Sequence, residues 1–189
     1  MSQPRRKATY DELLAVPEHK VAEIIAGELV VSPRPASPHA LAASAIGSVL
    51  FDRFNRPPGS GAVPGGWWIL YEPELHLGDD VIVPDLAGWR RARMPTFPDI
   101  AAFTIPPDWV CEVLSASTKR VDRGPKMTIY ARERVGHLWF VAPLARVLEV
   151  HRLETQTFTR IARHTGSGEI IAEPFETITL ELARWWREA

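Results

Sequence analysis

The sequence predicts an α/β domain in which helices pack against a mixed β-sheet of about five or more strands. Its 189 residues fit one ordinary domain. Apolar residues make up 46% of the chain, enough for a packed core, and short apolar runs alternate with longer segments that carry helical spacing or helix-start signals. We expect residues 1–189 to form a single domain, with an N-terminal helix and hairpin over about residues 1–36 and a C-terminal strand and helix extension over about residues 145–189.

The N-terminal elements are short. Residues 9–14 begin with Thr9, a residue type that caps helices, and place acidic residues at the positive end of the helix dipole. Residues 21–25 and 28–31 flank a Gly-containing tight turn, which predicts a hairpin. Glu23 lies in the first strand of this hairpin.

The longest predicted helix covers residues 40–54. Its apolar residues roughly follow a 3.6-residue period, and Pro38 is suited to the first turn. Residues 55–66 are rich in Pro and Gly and predict a loop. Aromatic and β-branched residues then predict strands at residues 67–71 and 74–77.

Two further strands are associated with carboxylates. Residues 81–89 are largely apolar but contain Pro84, which cannot donate to a strand ladder and marks an interruption just before Asp85. Residues 109–114 are almost wholly apolar, as expected for a central strand covered on both faces. Glu112 is the exception within this run.

The second half of the chain also contains both predicted strands and predicted helices. Residues 90–107 predict a loop with one helical turn at most. Pro125 is suited to the first position of a helix that runs through about Arg134 and carries Lys126 in its first turn. The remaining predicted elements are strands at residues 138–141, 147–152, 158–162 and 169–172 and a last helix from about Leu180 to Arg187.

Composition and charge exclude several classes of protein. The 22 Lys and Arg residues against 23 Asp and Glu give a net charge of −1, so any binding of nucleic acid must be local. Cys111 is the single cysteine and cannot form an intrachain disulfide. The start of the chain shows no secretory signal, and no apolar stretch approaches the roughly 20 residues of a membrane span. We therefore expect a cytoplasmic protein that does not interact with membranes.

Glu112 requires a partner, because a buried ionised carboxylate costs several kcal/mol unless a cation or strong donors meet it. One interpretation is a structural ion pair. The other is a site: if the strands of Asp85 and Glu112 are neighbours, both carboxylates converge with Lys126 at one end of the sheet. Mg²⁺ needs only one or two carboxylates besides water and phosphate oxygens, and a nearby lysine can help deprotonate the attacking water. Such a set suits metal-assisted phosphodiester cleavage.

The ordered motifs strengthen this interpretation. Pro84-Asp85, then the sequence PDWVCEVLSAST at residues 107–118, then Asp122, Lys126 and Tyr130 resemble the Uma family of putative restriction endonucleases, in the PD-(D/E)XK nuclease superfamily. The similarity covers nearly the whole chain. It implies a restriction-endonuclease-like fold and an endonuclease that cleaves DNA with Mg²⁺ or Mn²⁺.

Carried over by position, the resemblance makes Asp85 and Glu112 the catalytic, metal-holding acids and Lys126 the catalytic lysine. The third motif position, two residues after Glu112, is Leu114 rather than Lys, so the lysine has migrated to the next helix. Three further positions depart from the family pattern: Arg134 stands where Gly is expected, His137 where an acid is expected, and Ala142 where Asp is expected.

Other residues are auxiliary candidates, each with a simpler alternative. Glu23 matches an acidic family position that could add a ligand or orient a water. Tyr130 is either core packing or a group that orients the lysine or substrate, and His39 is either a helix cap or surface residue, which we favour, or a ligand. The basic block beyond residue 118 is either a solvated face or a set of phosphate contacts, namely Lys119, Arg120 and Arg123.

Two other functions stay open at this point. The near-zero net charge favours a nuclease-fold protein with a weak or silent site that acts as a nucleic-acid-binding module or a homodimeric interaction module. The Trp185-Trp186 pair is either core or a dimer contact. A glycosidase could use Asp85 and Glu112 as its acid pair, but it would have no need for Lys126.

Overall fold

The computed structural model describes residues 6–186 except residues 60 and 62. Within this part of the chain the strands are β1 (Lys20–Ile25), β2 (Glu28–Pro33), β3 (Trp67–Tyr71), β4 (Leu75–Leu77), β5 (Asp80–Ile82), β6 (Leu86–Arg90), β7 (Trp109–Val113), β8 (His137–Ala142), β9 (Val147–Glu154), β10 (Thr157–Thr165), β11 (Glu169–Ile170) and β12 (Leu180–Glu181). The α-helices are α1 (Tyr10–Leu14), α2 (Ser37–Phe54), α3 (Lys119–Val121) and α4 (Met127–Arg132). A π-helical segment, Asp122–Lys126, joins α3 to α4 and is called the π-turn below. Two 3₁₀ helices cover Pro143–Ala145 and Leu182–Trp185.

The main sheet has six strands in the order β10-β9-β8-β7-β6-β3. The β7–β8 pair is parallel and the other pairs are antiparallel, so the predicted mixed sheet is confirmed. A second sheet has the order β2-β1-β5-β4, and β11 pairs with β12. Strand β6 begins one residue after Asp85 and pairs with β7, which contains Glu112. The two acids are therefore on neighbouring strands, as the predicted site requires.

Strand β7 separates two apolar cores because its side chains alternate between faces. Cys111 and Val113 pack with α2, whereas Val110 packs with the α4 residues Ile129 and Tyr130. The side chain of Glu112 projects toward the second core. Both predicted helices therefore lie against the sheet, one on each face.

The helix around Pro125 begins earlier than predicted. Pro125 is not its first residue but lies inside the π-turn. The backbone N–H of Lys119 donates to the carbonyl of Ser115 at 3.1 Å, and the Thr118 N–H donates to the Ser115 hydroxyl at 3.1 Å, so the helical path starts before Lys119. Proline lacks the N–H for a regular helical bond, and the wider π-turn accommodates it.

The predicted last helix from Leu180 to Arg187 is wrong over the residues that the structure describes, and Arg187 lies outside them. Leu180–Glu181 is strand β12, followed by a single 3₁₀ turn. Trp185 and Trp186 are 1% and 4% exposed, and the Trp186 indole donates to the carbonyl of Gly166 at 2.6 Å. Tertiary packing of the two tryptophans thus determines the conformation of this segment. Their burial favours a role in the core over a dimer contact.

The departures from the family pattern have local causes. Arg134 has a φ of 62°, in the left-handed region that favours glycine, which explains why glycine is expected there. Nε2 of His137 lies 3.0 Å from Oε2 of Glu173, within hydrogen-bond distance. Ala142 precedes a 3₁₀ helix and provides no side-chain cap, a position where Asp would be favourable.

Among the described residues, no helix combines the length and apolar character needed to cross a bilayer.

Candidate active site

Asp85 lies in the break between β5 and β6, as Pro84 predicts. Its Oδ2 accepts a hydrogen bond from the backbone N–H of Val113 at 2.6 Å, at the last residue of β7. Its Oδ1 lies 3.1 Å from Nε2 of His39, in the first turn of α2. Burial lowers the pKa of His39, but the Asp85 hydrogen bond and charge outweigh it, so the pKa of His39 is raised. His39 therefore orients the Asp85 carboxylate instead of facing solvent.

Glu112 is 2% exposed and lies among charged groups. Its Oε1 is 2.8 Å from Nζ of Lys126 and accepts a hydrogen bond from the hydroxyl of Tyr130 at 2.5 Å. Burial raises the pKa of Glu112 well above its ordinary value; Lys126 opposes this, while Asp122 and the other nearby acids add to it. Tyr130 packs in the core, as one of its two alternatives predicts, and its hydroxyl contacts Glu112, whereas a role in orienting the lysine or a substrate stays a prediction.

Lys126 is the cation of the cluster and is 3% exposed. Besides Glu112, its Nζ lies 3.1 Å from Oε1 of Glu23 and 3.6 Å from Oδ1 of Asp122. Burial alone would lower its pKa, but Glu112, Glu23 and Asp122 outweigh burial and hold the pKa well above its ordinary value. Oε1 of Glu23 also accepts from the N–H of Val83 at 2.9 Å, so Glu23 links the second sheet to the lysine.

These side chains surround one small cavity of about 50 Å³. Its lining comprises Val21, Glu23, Ser32, Pro33, Pro35, His39, Glu72, Val83, Asp85, Glu112, Thr118, Asp122 and Lys126. The three residues singled out by sequence order therefore meet at one place, together with the auxiliary candidates Glu23 and His39. Tyr130 contacts the cluster through Glu112 rather than from the cavity lining.

Asp122 belongs to the ordered motif, but the sequence interpretation assigns it no role in the site. It is buried, lies four residues before Lys126, and therefore faces the same side of the helical segment. Burial raises its pKa, and Lys126 and a hydrogen bond from Thr118 oppose that rise. The spacing from Lys126 indicates that Asp122 joins the site only if the helix is predicted to begin before Pro125.

The three candidate phosphate contacts differ in their surroundings. Lys119 and Arg120 are exposed on α3, next to residues that line the cavity. Arg123 is instead half-buried: its Nη1 lies 2.7 Å from Oε2 of Glu149, and its guanidinium carbon lies 4.6 Å from the ring centroid of Phe140. Their roles in binding phosphate stay predictions.

Asp85 and Glu112 form a minimal donor set for a hard divalent cation. Asp85 and Glu112 offer oxygen ligands, and the cavity exceeds the roughly 30 Å³ that a water molecule occupies in liquid. In the described part of the chain, no group of three or more His, Cys, Asp or Glu side chains is arranged to hold a metal by itself. Water and substrate oxygens would therefore have to complete the coordination, as is usual for Mg²⁺.

The sequence model of the Uma2 family, described as putative restriction endonuclease, matches residues 8–183. The chain belongs to the Uma2 family. This membership places it among putative nucleases, whose substrates are nucleic acids, and confirms the resemblance found in the ordered motifs. No curated protein matches the sequence.

A solved structure resembles this Uma2 member along almost its whole length. It is the crystal structure of a putative nuclease belonging to DUF820 from Anabaena variabilis ATCC 29413. The sequences are 22% identical, the match covers 94% of this chain and 97% of that chain, and the TM-score is 0.73. The likeness shows a shared fold, and the predicted restriction-endonuclease-like α/β fold is confirmed.

Proposed function

We propose that this chain is a metal-dependent endonuclease that hydrolyses phosphodiester bonds in DNA. The observation that carries the proposal is the convergence of Asp85, Glu112 and Lys126, which are distant in sequence, on one cavity beside the end of β7. Family membership supports the coarser assignment as a nuclease.

In this proposal Asp85 and Glu112 hold Mg²⁺ or Mn²⁺. When bound, the ion supplies a water of lowered pKa and shields phosphate charge. Lys126 lies 2.8 Å from Glu112, where its ammonium can orient the attacking water and stabilise charge that develops on the phosphate. Tyr130 holds the Glu112 carboxylate in place, and His39 does the same for Asp85.

The DNA strand would approach along the exposed side of α3. Lys119 and Arg120 follow directly after Thr118, which lines the cavity, so their charges can bind phosphates that flank the cleaved one. Such contacts fix the position of the strand without reading its sequence. Lys119 and Arg120 would thus provide local positive charge for DNA, although the net charge of the whole chain is close to zero.

Plasmid cleavage tests the proposal. Supercoiled DNA is incubated with Mg²⁺ or Mn²⁺ and the wild type, Asp85→Asn, Glu112→Gln or Lys126→Met. Asp99→Asn is the matched control, because Pro98-Asp99 repeats the dipeptide of the proposed site in an exposed loop. We expect at least about a 100-fold loss of rate in the three site variants and no loss in the control. Equal cleavage by all variants would contradict the assignment.

Two observations favour a second function. Glu112 and Asp85 each already have a partner within the protein, and the cavity is small, which would suit a nuclease-fold module that binds nucleic acid or forms a dimer without catalysis. Salt-dependent DNA binding that is unchanged in Asp85→Asn, with no heat in a Mn²⁺ titration, would favour this alternative. A calorimetric Mn²⁺ signal that disappears in Glu112→Gln would exclude it. Homodimer formation and a cytoplasmic location stay predictions.

A further inference from the structure

A second buried acid lies on the same face of the main sheet as Glu112, outside the cavity. Glu149 of β9 is 8% exposed. Strand register aligns Glu149 with Phe140 of β8, and Phe140 in turn with Glu112 of β7. Directly paired residues project from the same face, and strands are about 4.8 Å apart, so Glu149 and Glu112 lie roughly 10 Å apart in one row.

Arg123 covers this row from the π-turn. Its Nη1 donates to Oε2 of Glu149 at 2.7 Å, while its guanidinium group packs over the ring of Phe140. Three residues later, Lys126 reaches Glu112 at 2.8 Å. The π-turn is therefore fastened to the sheet at two points, one on β8 and β9 and one on β7.

The neighbours of Glu149 favour its ionised form. Arg160 of β10 places Nη1 at 3.5 Å from its Oε1, and His151 places Nε2 at 3.4 Å from its Oε2. Burial raises the pKa of Glu149, but the Arg123 hydrogen bond and charge outweigh it, so its pKa lies below the ordinary value. Arg123 thus meets an ionised carboxylate with little access to water, where an ion pair is screened less than on the surface.

The backbone of the π-turn needs such an anchor. Pro125 interrupts its hydrogen bonding, and the preceding helix α3 has only three residues. The helical path from Lys119 to Arg132 is too short to be stable in isolation, so side-chain contacts to the sheet set its position; Ile129 and Tyr130 of α4 supply them on one side of the π-turn, and Arg123 supplies one within it.

We propose that Arg123 and Glu149 are a positioning pair that fixes the π-turn and thereby holds Lys126 in the cavity. The inference rests on the proposed function, because it assigns the pair a role in that reaction. Neither residue lines the cavity, so the pair acts through Lys126. This role differs from a phosphate contact, for which Arg123 would have to face the DNA.

Steady-state cleavage by Glu149→Gln and Arg123→Lys provides the first test. Glu154→Gln is the matched control, since Glu154 is on the same strand and also pairs with an arginine, but is exposed. We expect kcat to fall about 10- to 100-fold in Glu149→Gln with KM unchanged, because a displaced lysine impairs the reaction and not binding. Arg123→Lys keeps the charge but loses the packing over Phe140, so its kcat should fall less than that of Glu149→Gln. An unchanged kcat in Glu149→Gln, or a rise in the KM of Arg123→Lys with kcat intact, would overturn the inference in favour of a phosphate contact.

Hydrogen exchange on the metal-free protein provides a readout that does not depend on activity. In Glu149→Gln, the amides of residues 118–128 should exchange faster while those of β3 and β7 keep the wild-type rate. Faster exchange in all elements alike would mean that Glu149 serves general stability, and it would overturn the positioning role. If the wild type cleaves no DNA but the local change is present, the anchor stands and the proposed function fails. If the wild type cleaves DNA and Glu149→Gln changes neither kcat nor local exchange, the anchor fails and the function stands.

Discussion

Neutralising an acid and neutralising the base of the buried cluster should have opposite effects on stability. Glu112 lies near three other carboxylates, those of Glu23, Asp85 and Asp122, and one ammonium, that of Lys126. The raised pKa of Glu112 means that the folded protein disfavours its ionised form relative to the unfolded chain at neutral pH. Glu112→Gln removes that charge, whereas Lys126→Met removes the cation that compensates the remaining acids.

The contacts set the size of each effect. In Glu112→Gln the lysine keeps Glu23 at 3.1 Å and Asp122 at 3.6 Å, so no charge is left unpaired. We expect the free energy of unfolding to be unchanged or up to about 2 kcal/mol higher. Lys126→Met leaves buried carboxylates without a cation, which costs about 3–5 kcal/mol. At roughly 2–4 °C per kcal/mol for a chain of this size, the Tm of Lys126→Met should fall by about 6–20 °C.

Urea unfolding at pH 7 in the presence of a chelator measures both variants without interference from metal. The dependence of the unfolding free energy on urea concentration should be the same for the wild type and both variants, so a shift of the midpoint reports a change in stability. The midpoints therefore decide whether Glu112 belongs to a structural ion pair or to a site. If Glu112 belongs to a functional site, Glu112→Gln should leave the free energy of unfolding unchanged or raise it. If Glu112→Gln destabilises the protein as much as Lys126→Met does, Glu112 belongs to a structural ion pair and its assignment to a functional site is refuted.

Three further outcomes are expected. Tyr130→Phe removes the hydrogen bond to the buried Glu112 carboxylate and should lower the free energy of unfolding by about 1.5–3 kcal/mol, measured by urea unfolding; an unchanged midpoint would speak against the bond. The Cys111 thiol is fully buried, and burial raises its pKa well above the ordinary value, so a thiol reagent should modify it only as fast as the protein unfolds, and rapid labelling of the native protein would contradict this. Burial lowers the pKa of His137 below 6.5 despite Glu173, so the unfolded chain binds the proton more readily and stability should be lost as pH falls through 6.5. His137→Gln should flatten that pH dependence, and identical pH profiles would count against it.

Sequence patterns were sufficient to predict those strands and breaks that depend on local residue types. The apolar run of β7 predicted its central position, and Pro84 predicted the break in which Asp85 lies. The last helix failed because Trp185 and Trp186 are compatible with several backbone paths. Their burial against distant parts of the chain, including Gly166, selects an extended path and a 3₁₀ turn.

The candidate site was predictable as an ordered set of residues but not as a network. Asp85, Glu112 and Lys126 could be selected because their order and residue types suit one chemistry. The contact of Glu23 with Lys126 depends on the pairing of β1 with β5, a tertiary contact between segments about 60 residues apart that no local pattern encodes. The contact of Asp122 with Lys126 could not be predicted for a related reason, since its position relative to Lys126 depends on where the helical segment begins.

The position of the lysine has a mechanical consequence for the fold. Leu114 lies two residues after Glu112, so a lysine there would project from the same face and be held by the strand itself. Leu114 packs into the core instead, and the ammonium reaches Glu112 from a segment that faces the sheet. A group delivered from a facing segment is only as well placed as that segment is fixed. Because Lys126 lies on the π-turn and not on β7, the proposed site needs a second contact between the π-turn and the sheet, and the Arg123–Glu149 pair is the contact that we propose for this role.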